Sequence, residues 1–245
     1  MKPCHVVFAT LAIFCLMTFS VVVQAEEAQA PAEKSLAGLH GVKLTVKAQG
    51  PYDADVPLQV VCFFKHKAAG DVTKGAPVEL DKRLGGVITS LRNRGEFVGD
   101  ELETLLLTSP AGTIKPTQLL LIGLGEETSL DLATLERIGR LALRQAAAVG
   151  AKKVAFAPLL RDQGNDTLSI GDVETAVVRG MLLAYDTDKR LQAEGLAAKY
   201  QLEEWIVEAG PAFFDETITG VQKAVDETTA EVAKKPVTKY ATSGK

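Results

Sequence analysis

Gly123-Leu124-Gly125 closes the apolar run QLLLIGLG and precedes a helix-like stretch, the place where open α/β sheets bind ligands beyond the carboxyl ends of their strands. Amides at such a turn can cradle a phosphate, because the first N–H groups of a helix face the anion and the helix dipole favours negative charge. The dinucleotide fingerprint, however, needs a third glycine at residue 128, which is Thr128, and Glu126-Glu127 would set two negative charges beside any phosphate. No Gly-Lys-Ser or Gly-Lys-Thr follows, which excludes a Walker loop. The stronger reading is a structural turn, with ligand binding by Gly123 and Gly125 the alternative. A second pair, Gly85-Gly86, interrupts the helical spacing of Leu80, Leu84, Val87 and Leu91. Two adjacent glycines cost a helix about 1 kcal/mol each relative to alanine. The pair is therefore expected to admit another backbone, or a bound ligand, at close range.

Other reactive residue types are sparse. Beyond residue 25, His40 and His66 are the only histidines, too far apart in sequence for a recognisable metal-ligand spacing. His66, between Lys65 and Lys67, reads as a solvated strand-end residue. A Cys62–His66 pair fails on geometry, since i and i+4 on one strand lie about 13 Å apart. Asp162 and Asp166 in RDQGNDT could hold a hard cation, although solvated loop acids are the ordinary reading. There is no Gly-x-Ser-x-Gly elbow. No catalytic residue, metal set or cofactor is expected; the ligand-binding candidates are Gly85, Gly86, Gly123 and Gly125.

The elements around these residues follow from periodicity. Val42, Leu44 and Val46 alternate with Lys43, Thr45 and Lys47 as in a strand with one wet face, and PLQVVCFF (57–64) reads as a strand covered on both. Cys62 within it is expected to be a buried small hydrophobe. Runs at 103–108, 118–122, 154–157 and 203–207 read as further strands. Leu132, Leu135, Ile138, Ala142, Ala146 and Val149 form one helical stripe, with Ser129 or Asp131 as N-cap and Gly150 as its stop. Ser169 opens a second long helix, whose stripe of Val173, Ala176, Val177, Gly180, Met181 and Ala184 is expected to pack on the sheet, and 212–233 is a third. Strand, helix, strand from 118 to 157 is a βαβ unit, which predicts that its two strands pair in parallel with a right-handed crossover.

With 47% hydrophobic residues the 245-residue chain can bury a sizeable core. Its 27 basic and 31 acidic residues, with no basic block, argue against duplex nucleic acid. An uncharged stretch from Val6 to Val23 behind Lys2, ending in Val23-Gln24-Ala25, reads as an export signal (1–25) cleaved after Ala25; a retained membrane anchor is the alternative. Cys4 and Cys15 would leave with it, so no disulfide is expected. Residues 26–39 read as a flexible lead-in, 40–233 as one domain and 234–245 as a flexible tail. Periplasmic or extracellular localisation follows.

The runs LQVVCFF, ELDKRLGGVITSLRNRGEFVGDELETLLLTSP, QLLLIGLGEE, KKVAFAP and VETAVVRGMLLAYDTD, in that order, resemble the N-terminal domain of leucyl (cytosol) aminopeptidases. The resemblance runs from about Val56 to Asp186 and more weakly through LEEWIVEAGPAFFDETITGVQKAVDE. It implies a macro-domain-like fold: an α/β three-layer α/β/α sandwich with a mixed, largely parallel sheet. The family's two-metal site and its Asn-Thr-Asp-Ala-Glu-Gly-Arg signature belong to a separate catalytic domain, and no such run occurs here. The resemblance thus implies a non-catalytic binding or assembly module. Its alternatives are a subunit for a peptidase catalytic domain carried on another chain, or a macro-like binder of a nucleotide or ADP-ribose. Against the last, the Asn-Ala-Ala-Asn run of such pockets is replaced by KHKAAGDVTKG, although Leu84-Gly85-Gly86-Val87 is comparable to a phosphate-holding segment.

Overall fold

The computed structural model describes Met1 and residues 32–236. Seven strands form one sheet: β1 (Glu33–Ala37), β2 (Lys43–Lys47), β3 (Leu58–Phe63), β4 (Thr104–Thr108), β5 (Gln118–Gly123), β6 (Lys153–Ala157) and β7 (Glu204–Glu208). Their order is β1-β2-β7-β6-β3-β5-β4. The five inner strands run parallel, and the edge strands β1 and β4 are antiparallel to their neighbours. This is the mixed, largely parallel sheet that the resemblance implies.

Five helices cover it. On one face α1 (Ala76–Arg83) and α2 (Val87–Asn93) pack Leu80, Leu84 and Ile88 against Val61, Phe63, Leu119 and Leu121. On the other, α3 (Leu132–Val149), α4 (Ile170–Ala193) and α5 (Phe214–Val232) lie over Leu58, Val60, Cys62, Leu120, Ile122, Phe156 and Trp205. Every residue of β3 is buried, as a strand sandwiched between two helical layers must be. Cys62 sits there as a free thiol whose pKa is pushed up by burial. Burying apolar surface at roughly 25 cal/mol per Å² is what drives both layers onto the sheet.

Local chemistry fixes the helix ends. Asp131, rather than Ser129, caps α3 by accepting from the Thr134 amide at 2.7 Å, and Gly150 ends it in the left-handed conformation. Ser169 caps α4 by accepting from the Asp172 amide at 3.1 Å.

Four expectations change. The lead-in ascribed to 26–39 contains β1, so a strand of the sheet already precedes His40, where folding was expected to begin: an edge strand of small and charged residues lacks the alternation that reveals a half-buried one. The face of β2 expected to be wet buries Thr45, whose hydroxyl donates to Glu204 at 2.8 Å and meets Ser35 of β1. The strands of the β5-α3-β6 unit are parallel but not neighbours, because β3 inserts between them. Finally, no other backbone approaches Gly85 or Gly86, where an added Cβ would meet no protein atom within 4 Å; both have positive φ (71° and 81°) and turn the chain from α1 into α2.

The expected signal, apart from Met1, lies outside the described residues, as does the tail beyond 236. Among the described residues no helix is long and apolar enough to cross a membrane.

Candidate functional site

The carboxyl ends of the parallel strands open onto a cavity of about 410 Å³. Its walls come from the segments that follow β2 (Gln49 to Tyr52), β6 (Pro158 to Asp162) and β7 (Ala209 to Phe213), and its floor from α4 and α5. Ligands of open α/β sheets sit at this edge. Leu159 takes φ 58° at the rim, a conformation that costs a branched residue about 1–3 kcal/mol and marks a locally over-determined turn.

Two helices deliver the polar floor. α4 lies on the sheet between α3 and α5, so its run from Val173 to Val178 is buried on nearly every side and includes Glu174. α5 crosses it at backbone distance: a Cβ on Gly220 would collide with the Gly171 carbonyl, and Thr175 Oγ1 donates to the carbonyls of both Gly171 (2.7 Å) and Gly220 (3.0 Å). That crossing brings Thr217, one turn before Gly220, to the same end.

Glu174 is 2% and Thr217 1% exposed, and both line the cavity. Neither Glu174 Oε2 nor Thr217 Oγ1 has a hydrogen-bond partner. Burial raises the Glu174 carboxyl to about 8. A buried polar group left unpaired costs roughly 1–3 kcal/mol, so such pairs mark places where a partner would be gained. Glu208, at the end of β7, is better satisfied. Its oxygens accept from Gln49 Nε2 (3.0 Å) and Gln59 Nε2 (2.6 Å), yet burial still outweighs these bonds and holds it near 8. Asp162 accepts from the Ala76 amide at 3.2 Å and so caps α1; burial, opposed by that amide and by Lys74, raises it too.

The glycine candidates lie elsewhere. Gly123 and Gly125 share one turn, and Gly85 and Gly86 another, and none of the four lines this cavity. A Cβ on Gly123 would run into the Asp100 carbonyl, and one on Gly125 would come within 3.1 Å of Glu101 Cβ. The amides of Gly123, Leu124 and Gly125 donate to Glu103 (2.8 Å), Phe63 (2.8 Å) and Gly99 (3.0 Å) carbonyls. At the second turn the α2 amides of Ile88 and Thr89 already hold an anion, the Asp81 carboxylate, at 2.7 and 3.3 Å. Phosphate at either turn would have to displace these bonds.

His66 is not a solvated end residue. Its Nδ1 lies 3.0 Å from Asp71 Oδ2, which also accepts from Arg92 Nε at 2.7 Å. Buried Arg92 donates further to the Phe64 carbonyl and stands 5.3 and 5.8 Å from the ring centres of Phe63 and Phe97. Burial would raise Asp71, but the bonds from Arg92, the Lys67 amide and His66 prevail and lower it. Gln163 ties β3 to the turn after β6, accepting from the Phe64 amide and donating to the Cys62 carbonyl. Asp162 is half-buried and Asp166 exposed; among the described residues no three His, Cys, Asp or Glu side chains are grouped to hold a metal.

Residues 60–194, more than half of the chain, match the sequence model described as the cytosol aminopeptidase family, N-terminal domain. The chain belongs to that family. It is 34% identical over 131 residues to a probable cytosol aminopeptidase of Alkaliphilus oremlandii, covering 51% of this chain and 26% of the relative. A probable cytosol aminopeptidase of Geotalea uraniireducens is 34% identical over 128 residues, 51% of this chain and 24% of the relative. The alignments thus span about a quarter of these relatives, and what is matched is the family's N-terminal domain, not its catalytic domain. Among solved structures, a variant of tomato leucine aminopeptidase superposes with TM-score 0.55 at 17% identity over 84% of this chain and 38% of that one. The Oceanobacillus iheyensis macrodomain with ADP gives 0.58 at 9% identity over 80% and 98%. The fold of this cytosol aminopeptidase N-terminal domain is therefore macro-domain-like.

Proposed function

We propose that this chain is an exported, non-catalytic binding module of the cytosol aminopeptidase family that takes a small ligand at the carboxyl edge of its sheet. The observation that carries the reading is the cavity floored by Glu174 and Thr217, two buried polar side chains with unpaired oxygens. A scaffold turn has no use for an unpaired carboxyl, whereas a binding site gains from one. The family match over the N-terminal domain supports a non-catalytic role, and the leader read from residues 1–25 supports export.

A screen of the full chain against a small-molecule library by thermal shift tests the reading, with Gly210→Tyr as control. Gly210 lines the cavity with ordinary torsions, and a Cβ there meets only Phe213 Cδ2 at 3.6 Å, so a side chain can be added at this position, and a bulky one is expected to obstruct the cavity. The expected result is stabilising hits lost in Gly210→Tyr, and no leucyl-p-nitroanilide hydrolysis with added manganese or zinc. Hits indifferent to the substitution, or turnover proportional to the chain's concentration, would overturn it.

A further inference from the structure

The ionisable groups around the cavity are mostly acids. Three carboxyls line it, on Asp162, Glu174 and Glu208, against one basic side chain, Arg161. Arg161 is engaged away from the cavity, because Nη1 and Nη2 donate to the carbonyls of Asn165 (2.9 Å) and Leu168 (2.6 Å) and fix the loop between β6 and α4. Glu208 and Asp162 each accept hydrogen bonds from the protein, but no hydrogen bond reaches Glu174 Oε2. The walls are aromatic, Tyr52 and Phe213, the latter 37% exposed. Tyr52 already stacks a cation, with the Arg83 guanidinium 3.9 Å from its ring centre.

We propose that this cavity receives a compact organic cation, an ammonium or guanidinium group seated against the Glu174 carboxyl and within reach of the Thr217 hydroxyl. The proposal rests on the binding-module reading and names the chemistry of its ligand. A cation supplies what the floor lacks, donors for a carboxylate, and charge-assisted bonds in a buried site are about twice as strong as neutral ones. A phosphate-bearing ligand would instead meet three acids. A neutral ligand brings no charge to draw the proton from Glu174, and so gains no charge-assisted bond there.

A coupled proton transfer follows. Burial holds Glu174 protonated around neutral pH, and an ammonium beside it restores the carboxylate, so its proton passes to solvent on binding. The groups facing Glu174 and its surroundings are Cys62 from β3, Glu208 from β7 with Asp53 and Lys47 beside it, Arg161 and Asp162 after β6, and Tyr52 after β2.

Titration calorimetry of the full chain at pH 7 with butylamine, agmatine, 1-butanol and ADP-ribose tests this. The two amines are expected to bind with an observed heat that differs between phosphate and Tris in the sense of proton release, and butanol and ADP-ribose to give no isotherm. Glu174→Gln should weaken amine binding at least about tenfold, the loss of one charge-assisted bond. Thr217→Val should weaken it less, and supplies the comparison should Glu174→Gln fail to fold. Silent amines, or Glu174→Gln binding as wild type, would each overturn the cation assignment. Butanol or ADP-ribose binding in place of the amines would do so too, while leaving the binding module intact. The library screen with Gly210→Tyr decides that broader reading independently.

Discussion

Glu174 and Glu208 each keep a proton in the folded chain up to about pH 8, against an ordinary value of 4.5. Between those limits the unfolded state has lost a proton that the folded state retains, so stability falls as pH rises and levels off above about 8. The slope is on the order of 1 kcal/mol per pH unit for each group at most. Asp71, Asp186 and Glu204 behave oppositely: their values are lowered, and their stabilisation is lost only as pH falls through the acid range. The urea midpoint should therefore drop from pH 5 to pH 8, and Glu174→Gln should remove about half of the drop. A midpoint that rises over that interval, or an unchanged slope in the variant, would contradict this. At this scale the sequence reveals what is local. Asp131, Gly150 and Ser169 announce helix ends by their own backbone chemistry, and Cys62 announces burial by the apolar run around it. Glu174 does not announce itself, because the acids of GDVETAVVRG, Asp172 and Glu174, both look like the solvated face of an amphipathic helix until α3 and α5 close over both flanks.

Between elements, small residues set the distances. A Cβ on Gly139 of α3 would collide with the Val177 carbonyl of α4, and one on Gly180 of α4 with the Glu136 carbonyl of α3, so the two helices touch backbone to backbone. Glu136 and Arg179 then pair across the same crossing, and Arg179 reaches on to Glu231 of α5. Gly139→Ala gains about 1 kcal/mol of helix propensity. The forced separation costs about 1–3 kcal/mol, as overpacking does. A lower denaturant midpoint is the expected outcome, and a higher one would show that the crossing can relax. The stripe containing Gly180 is legible in the sequence as a buried face, but its close fit is to a neighbouring helix as well as to the sheet. Period alone cannot name the partner. The same limit explains β3, which reads correctly as a covered strand while its insertion between β5 and β6 depends on long-range pairing.

At the scale of the sheet, β1 completes one edge. It pairs antiparallel with β2 from Glu33↔Lys47 to Ala37↔Lys43, and Leu36 packs on the main core. Cleavage after Ala25 would leave seven residues ahead of Glu33, so a chain starting at Glu26 keeps the whole sheet. A chain starting at Leu39 loses β1, exposes the backbone edge of β2 and uncovers Thr45, which now lies buried beside Ser35. Unpaired edges of this kind template association with other chains. The 26–245 chain should therefore match the full chain in urea midpoint and remain monodisperse. The 39–245 chain should unfold at lower urea and self-associate. Equal midpoints for the two truncations would mean that β1 is dispensable and that the domain starts at β2, as its alternating apolar pattern alone suggests. Mass spectrometry of the protein recovered from its native cells supplies the complementary test: an N-terminus within β1 is incompatible with an intact seven-stranded sheet, whereas one at Glu26 preserves it.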